Sequence, residues 1–117
     1  MVSGIKNSLA ALQAFQTKQD SVASNVANVN TDGYKKTEVT LEGGQANSVR
    51  ARTEKQNTPG PLAYEETGKG RELVEKSNVE LSKELPESQL NKRNFQANIK
   101  MVEQADEMTG TLLDIVG

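Results

Sequence analysis

Apolar or small uncharged side chains recur at Ile5, Leu9, Leu12, Gln16, Gln19, Ala23 and Val26, in alternating steps of 4 and 3. This is heptad spacing, and Ala11, Phe15, Val22 and Val29 widen the stripe. It predicts an amphipathic helix that must lay one face against a partner. Gln16 and Gln19 thin the stripe and can set register or pairing. No Pro, and no Gly after Gly4, interrupts the run. The helix is predicted to end near Asn30, where Asn28, Asn30, Thr31, Asp32 and Gly33 cluster and Gly33 can supply the positive φ of a helix exit.

From Tyr34 the period changes to two. Val39 and Leu41 alternate with Glu38, Thr40 and Glu42, and Val49 and Ala51 alternate with Arg50 and Arg52. With Gly43-Gly44 between the runs, one short β-hairpin is predicted, its loop around Gly43 to Asn47. Asn57-Thr58-Pro59-Gly60-Pro61 is a turn signal, and Glu65 to Gly70 is polar with two glycines. The stretch up to Lys76 therefore reads as an extended connector.

Ser77-Asn78-Val79-Glu80 has the spacing of a capping box, in which a hydroxyl and a carboxylate satisfy free backbone donors at a helix start. A long helix follows, with Met101, Ala105, Met108, Leu112 and Ile115 again at steps of 4 and 3, and Leu113 alongside. Pro86 cannot donate to the Ser82 carbonyl and crowds that turn, costing about 3 kcal/mol in a straight helix, so a kink or break is predicted. The expected fold is mainly α: long terminal helices pairing as a coiled-coil-like inner domain, with a small β-hairpin and extended insert. Its parts are residues 1–33, 34–76 and 77–117, forming one structural unit.

Composition narrows what such a fold could do. With 117 residues, 34% hydrophobic and 3% aromatic, the chain has little with which to fill an isolated core. Burying a Leu or Ile contributes about 1.5–3 kcal/mol, whereas ordering costs about 1–2 kcal/mol per residue, so association is expected to supply the surplus. A net charge of -2 provides no basic field for nucleic acid or an anionic membrane. The sparse pairs Lys35-Lys36 and Arg50 with Arg52 add no basic face. No apolar run reaches the roughly 20 residues of a membrane span. The start, Met1 to Ser8, lacks a basic stretch followed by an apolar secretory core, as expected of a cytosolic protein or one exported without a cleaved signal peptide. Cys and His are absent, which removes thiolate chemistry, the usual zinc and copper ligands and the usual general base. Glu65-Glu66, Glu84 and Glu87 lie on polar segments without an evident convergent partner, and Gly68 and Gly70 sit in a polar stretch rather than in a phosphate loop after a strand. No catalytic residue, cofactor site or metal site is expected.

The wording of the chain is more specific than its periodicity. Ser24-Asn25-Val26-Ala27-Asn28-Val29-Asn30-Thr31-Asp32-Gly33-Tyr34-Lys35-Lys36 resembles the S-N-N-I-A-N-V-N-T-x-G-Y-K/R signature of bacterial flagellar rod and hook proteins. Toward the other end, Ser77-Asn78-Val79-Glu80-Leu81 resembles S-N-V-D-L, and Arg93-Asn94-Phe95-Gln96-Ala97-Asn98 resembles R-A-F-E-A-N. Ala105-Asp106-Glu107-Met108 with Leu112-Leu113 resembles the A-D-E-M and L-L ending. The chain departs from the family between Leu81 and Asn91, where an apolar-rich stretch is replaced by Ser82-Lys83-Glu84-Leu85-Pro86-Glu87-Ser88-Gln89-Leu90.

The resemblance implies a rod protein, closest by size to a proximal type, whose terminal helices stack around a central channel and which leaves the cell through the flagellar type III export apparatus. Its implied partners are other copies of itself and neighbouring rod and hook proteins, and its implied place is the periplasm-spanning rod of the basal body. Combined with the two seams, it implies an assembly interface of Ile5, Leu9, Leu12, Asn25, Val26, Asn28, Asn30, Thr31, Gly33, Tyr34, Phe95, Asn98, Met101, Met108, Leu112 and Ile115. The Asn-rich word would fix the helix exit and present amides to neighbours, while Tyr34 would be either a contact or an anchor for the hairpin. The competing reading is an intracellular coiled-coil adaptor or regulator that shares only the helical ends.

Overall fold

The structure, a computed structural model, describes residues 2–44 and 48–116, so the predicted loop residues 45–47 lie outside the described residues. Its elements are α1 (Val2–Ala27), β1 (Thr37–Gly43), β2 (Val49–Lys55), β3 (Leu62–Thr67), β4 (Gly70–Glu75) and α2 (Leu81–Val116). The two terminal helices run antiparallel, because Asn25 meets Glu84 while Ser8 meets Asn98.

The first hairpin forms where the alternation predicts it, with Leu41 opposite Ala51 and Gly43 opposite Val49. Val39 is buried, and Val49 and Ala51 line a gap with Ala10, Ala14 and Thr17 of α1. Small side chains at Ala10 and Ala14, the latter buried, let the sheet approach the helix backbone closely.

α1 is therefore covered on two sides, and this moves its seam. The row facing α2 contains Ser8, Phe15 and Gln19, whereas Gln16 and Ala23 of the predicted stripe are exposed and Leu9 is 50% exposed. Heptad counting assumes one partner; a helix with two partners buries two neighbouring rows instead.

Three further expectations change. Residues 62–75 form a second antiparallel hairpin rather than an extended connector, with Tyr64 opposite Leu73 and Thr67 opposite Gly70. Gly70 takes φ +105° at the turn, and the Thr67 hydroxyl bridges the turn to the Gly70 carbonyl. The glycines that read as a linker are thus the hairpin's turn. Next, α2 begins at Leu81 and not at Ser77: the Ser77 hydroxyl donates to the Val29 carbonyl instead of capping a helix. Finally, no break occurs at Pro86, since the chain is helical on both sides of it. Pro86 and Ser82 are both exposed, so the turn that loses a backbone hydrogen bond is on the outer side of the helix.

α1 ends at Ala27, slightly before the predicted Asn30, and the Asn28 amide turns back to the Ser24 carbonyl at 2.9 Å. Gly33 then takes φ +71°, as its place in the exit predicts, and its N–H donates to the Glu75 carbonyl at 2.9 Å. The molecule measures 79 × 23 × 20 Å. The 36 residues of α2, about 54 Å of helix, are the longest element in it.

The base of the second hairpin depends on Gly60, which is buried against the chain leaving β4. A Cβ there would overlap the Lys76 carbonyl, which is backbone and cannot swing away. Gly60→Ala is expected to lower stability by about 1–3 kcal/mol in urea unfolding, whereas Gly43→Ala, with nothing within 4 Å of the added methyl, should stay close to wild type.

Candidate assembly joint and interface

Two asparagines, one from each signature word, hold consecutive residues at the start of β1. The Asn25 amide treats Thr37 as a strand would, donating to its carbonyl at 2.8 Å and accepting from its N–H at 2.9 Å. The same side chain accepts from the Tyr34 hydroxyl at 3.1 Å and donates to Glu84 at 3.3 Å. Asn78 accepts from the Lys36 N–H at 2.6 Å and donates to the carbonyls of Gln56 and Thr58, at 2.9 and 3.0 Å. Both are buried, Asn25 at 1% exposure, so losing either would leave a backbone N–H, that of Thr37 or of Lys36, without its side-chain acceptor inside the joint.

Around this joint, charged groups fasten the second hairpin. Lys35 pairs with Glu75 and Lys76 with Asp32 and Glu65. The hydrogen bond from Lys35, then that from the Gly60 N–H, holds the Glu75 carboxyl below its usual range. Glu84 shifts the other way: burial raises its pKa, the Asn25 amide partly opposes this, and Glu87 adds to it. One of its oxygens is buried without a hydrogen-bond partner. Glu84, which the sequence placed on a polar segment without a convergent partner, is buried on the inner face of α2.

Beyond the joint the helices are joined largely by polar groups. Gln19 donates to Ser88 at 2.9 Å, Asn91 donates to the Phe15 carbonyl at 2.8 Å and to Gln19, and Asn98 donates to the Ser8 carbonyl at 2.6 Å. Glu84, Asn91 and Asn98 recur every seven residues, but a search for apolar heptads passes over them. Phe15 and Phe95 flank a cavity of about 170 Å³ beside Asn91.

The residues expected to form an interface separate into two groups. Asn25 is buried, its amide engaged inside the chain; Ile5, Leu12, Val26, Asn28, Tyr34, Phe95 and Asn98 are half-buried. Tyr34 is an anchor of the joint. Leu9, Asn30, Thr31, Gly33, Met101, Met108, Leu112 and Ile115 are exposed. Met101 and Met108 do not face α1; the row that does is Glu84, Ser88, Asn91, Phe95 and Asn98, about a quarter turn away around α2. Among the described residues, no helix is long and apolar enough to cross a membrane, and no group of three His, Cys, Asp or Glu side chains could hold a metal ion.

The two asparagine words that make the joint lie in segments matched by family models. Residues 5–35 match the model described as flagella basal body rod protein, and residues 72–115 match that described as flagellar basal body rod FlgEFG protein C-terminal. Together the matches cover well over half of the chain in the expected order, and the chain belongs to the flagellar basal-body rod protein family. That family is structural, and it places the chain in the basal body of the flagellum, among other rod and hook proteins. A search among curated proteins found no match.

Asn25→Ala should cost about 2–4 kcal/mol in urea unfolding, since it leaves the Thr37 N–H without its acceptor and Glu84 without its amide donor, while the Thr37 carbonyl keeps only the Ser21 hydroxyl, at 2.8 Å. Glu84→Gln should act oppositely. With its pKa raised on folding, Glu84 favours the folded state below the ordinary carboxylate range, and that advantage is lost as pH rises through the raised value. The Gln variant keeps an acceptor for Asn25 without the buried charge. It should unfold at higher urea than wild type at pH 7, with the difference shrinking toward about pH 4, as followed by circular dichroism.

Proposed function

We propose that this chain is a building subunit of the flagellar rod, of proximal type by size, which assembles through its terminal helices in support of motility. The observation that carries this reading is the unpartnered stripe on α2: Met101, Met108, Leu112 and Ile115 are 65, 59, 50 and 76% exposed. Covering each such side chain contributes about 1.5–3 kcal/mol, which a single chain forgoes and an assembly recovers. The joint gives the stripe a fixed frame, since α2 leaves it in a direction set by Asn25 and Asn78. Neighbouring copies, and other rod and hook proteins, supply the opposing helices, with coiled-coil-like packing between the seams. The chain reaches the rod through the type III export apparatus without a cleaved signal peptide.

Deleting the gene should abolish motility, and the tagged full chain should restore it and co-purify with basal bodies. A tagged chain that stays in the cytosol of a motile strain, while other axial proteins are exported, would instead identify an intracellular adaptor.

A further inference from the structure

Asp32 is the one Asp or Asn in the sequence that a Gly follows. Such a pair rearranges spontaneously when it is free to move, because a residue without a side chain leaves its backbone nitrogen open to the neighbouring carboxyl. The pair lies in the exit from α1, just ahead of the residues that the joint holds, and both of its members are exposed to water.

The fold occupies both reacting groups from one place, the base of the second hairpin. The Gly33 N–H donates to the Glu75 carbonyl at 2.9 Å, and the Asp32 carboxylate pairs with Lys76 at 2.9 Å. The turn from Thr31 to Tyr34 is closed by the Tyr34 N–H on the Thr31 carbonyl at 3.2 Å, with φ +71° at Gly33, and it fixes the peptide plane between the two groups. Glu75 and Lys76 are held in turn. The Lys76 N–H donates to the Pro61 carbonyl at 2.8 Å, and the Glu75 carboxylate accepts from Lys35 and from the Gly60 N–H. An ion pair as exposed as that of Asp32 contributes little, so the backbone bond from Gly33 is the main restraint.

We propose that Asp32-Gly33 is a latent isomerisation site which the hairpin base keeps closed, so that a chain whose base stays open can no longer rebuild its joint. The Gly33 nitrogen bonds to Cγ of the protonated Asp32 carboxyl, and the carboxyl hydroxyl leaves with the amide proton as water, closing a five-membered imide. Water then opens the ring. Breaking the bond between that nitrogen and the Asp32 main-chain carbonyl leaves the chain running through Cβ and Cγ, as isoaspartate; breaking the new bond restores aspartate. The isoaspartate linkage adds one backbone carbon, about 1.5 Å of chain, ahead of Tyr34, Lys36 and Thr37. Their contacts with Asn25 and Asn78, at 3.1, 2.6 and 2.9 Å, have less than about 1 Å of slack before they cease to be hydrogen bonds. The site depends only on the hairpin base and the joint, so its failure would leave the rod reading untouched.

The full chain, incubated near neutral pH in buffer and in denaturing urea, reads the site directly: isoaspartate at Asp32 is followed by peptide mapping with electron-transfer fragmentation. Asp20, within α1 and on the same tryptic fragment, is the internal reference. Isoaspartate at Asp32 should accumulate many-fold faster in urea than in buffer. In buffer, Gly60→Ala, which opens the base locally, should raise the Asp32 rate several-fold and leave Asp20 unchanged. Lys76→Gln should give a smaller rise of the same kind and replaces Gly60→Ala if that variant loses helix content by circular dichroism. Chains isomerised in urea, separated by reversed-phase chromatography and returned to buffer, should unfold at lower urea than the unmodified fraction, whereas Asp32→Ser chains treated alike should be unchanged. Equal rates in buffer and urea, a rise at Asp20 matching that at Asp32, or an isomerised fraction as stable as the unmodified one overturns the proposal.

Discussion

A side-chain amide standing in for a β-strand is the constraint on which the rest of this structure depends. Thr37 opens β1 with its N–H and carbonyl turned toward the last turns of α1, where the helix backbone has no free N–H to offer the carbonyl. Asn25 provides both an acceptor and a donor from one planar group, at 2.9 and 2.8 Å. Serine would offer one oxygen and leucine nothing, so the position needs an amide of this reach. Once Thr37 is fixed, the first hairpin must lie along α1, and the Asn78 grip on Lys36 brings the start of α2 to the same place.

This arrangement explains why a chain with so few large apolar residues can be ordered. Its buried apolar side chains, such as Ala11, Ala14, Val22, Val39 and Val79, are small, and its buried polar ones, such as Asn25, Ser77, Asn78, Glu84 and Asn91, are nearly all tied to backbone or to one another. Such a core specifies geometry more than it supplies stability, because a net hydrogen bond contributes only about 1 kcal/mol. The larger apolar side chains are thereby left for the surface. In a member of the rod family that division is physically sensible: polar groups set the shape of the subunit, and apolar groups remain for contact between subunits.

Glu84 marks a limit of this economy. It completes the Asn25 network but leaves one carboxylate oxygen without a partner in a buried position. It stands in the polar stretch from Ser82 to Leu90, where Glu84 and Ser88 make the inner row of α2 polar. Pro86, two residues on, is accommodated because it lies on the exposed side of the same turns.

Local chemistry determined the two helices, the first hairpin, the positive φ of Gly33 and the membership in a family, since periodicity, turn residues and fixed words all act within a few residues of themselves. The second hairpin was hidden because Gly68 and Gly70 serve a turn as readily as a linker, and only the pairing of Tyr64 with Leu73 distinguishes the two. The helix seams were displaced because α1 has two partners, and a one-dimensional count cannot show how many surfaces a helix must meet. That Asn25 and Asn78 act together was likewise a tertiary fact. They are far apart in the chain and carry no periodic signal, and only the fold brings their amides to the neighbouring backbone groups of Lys36 and Thr37.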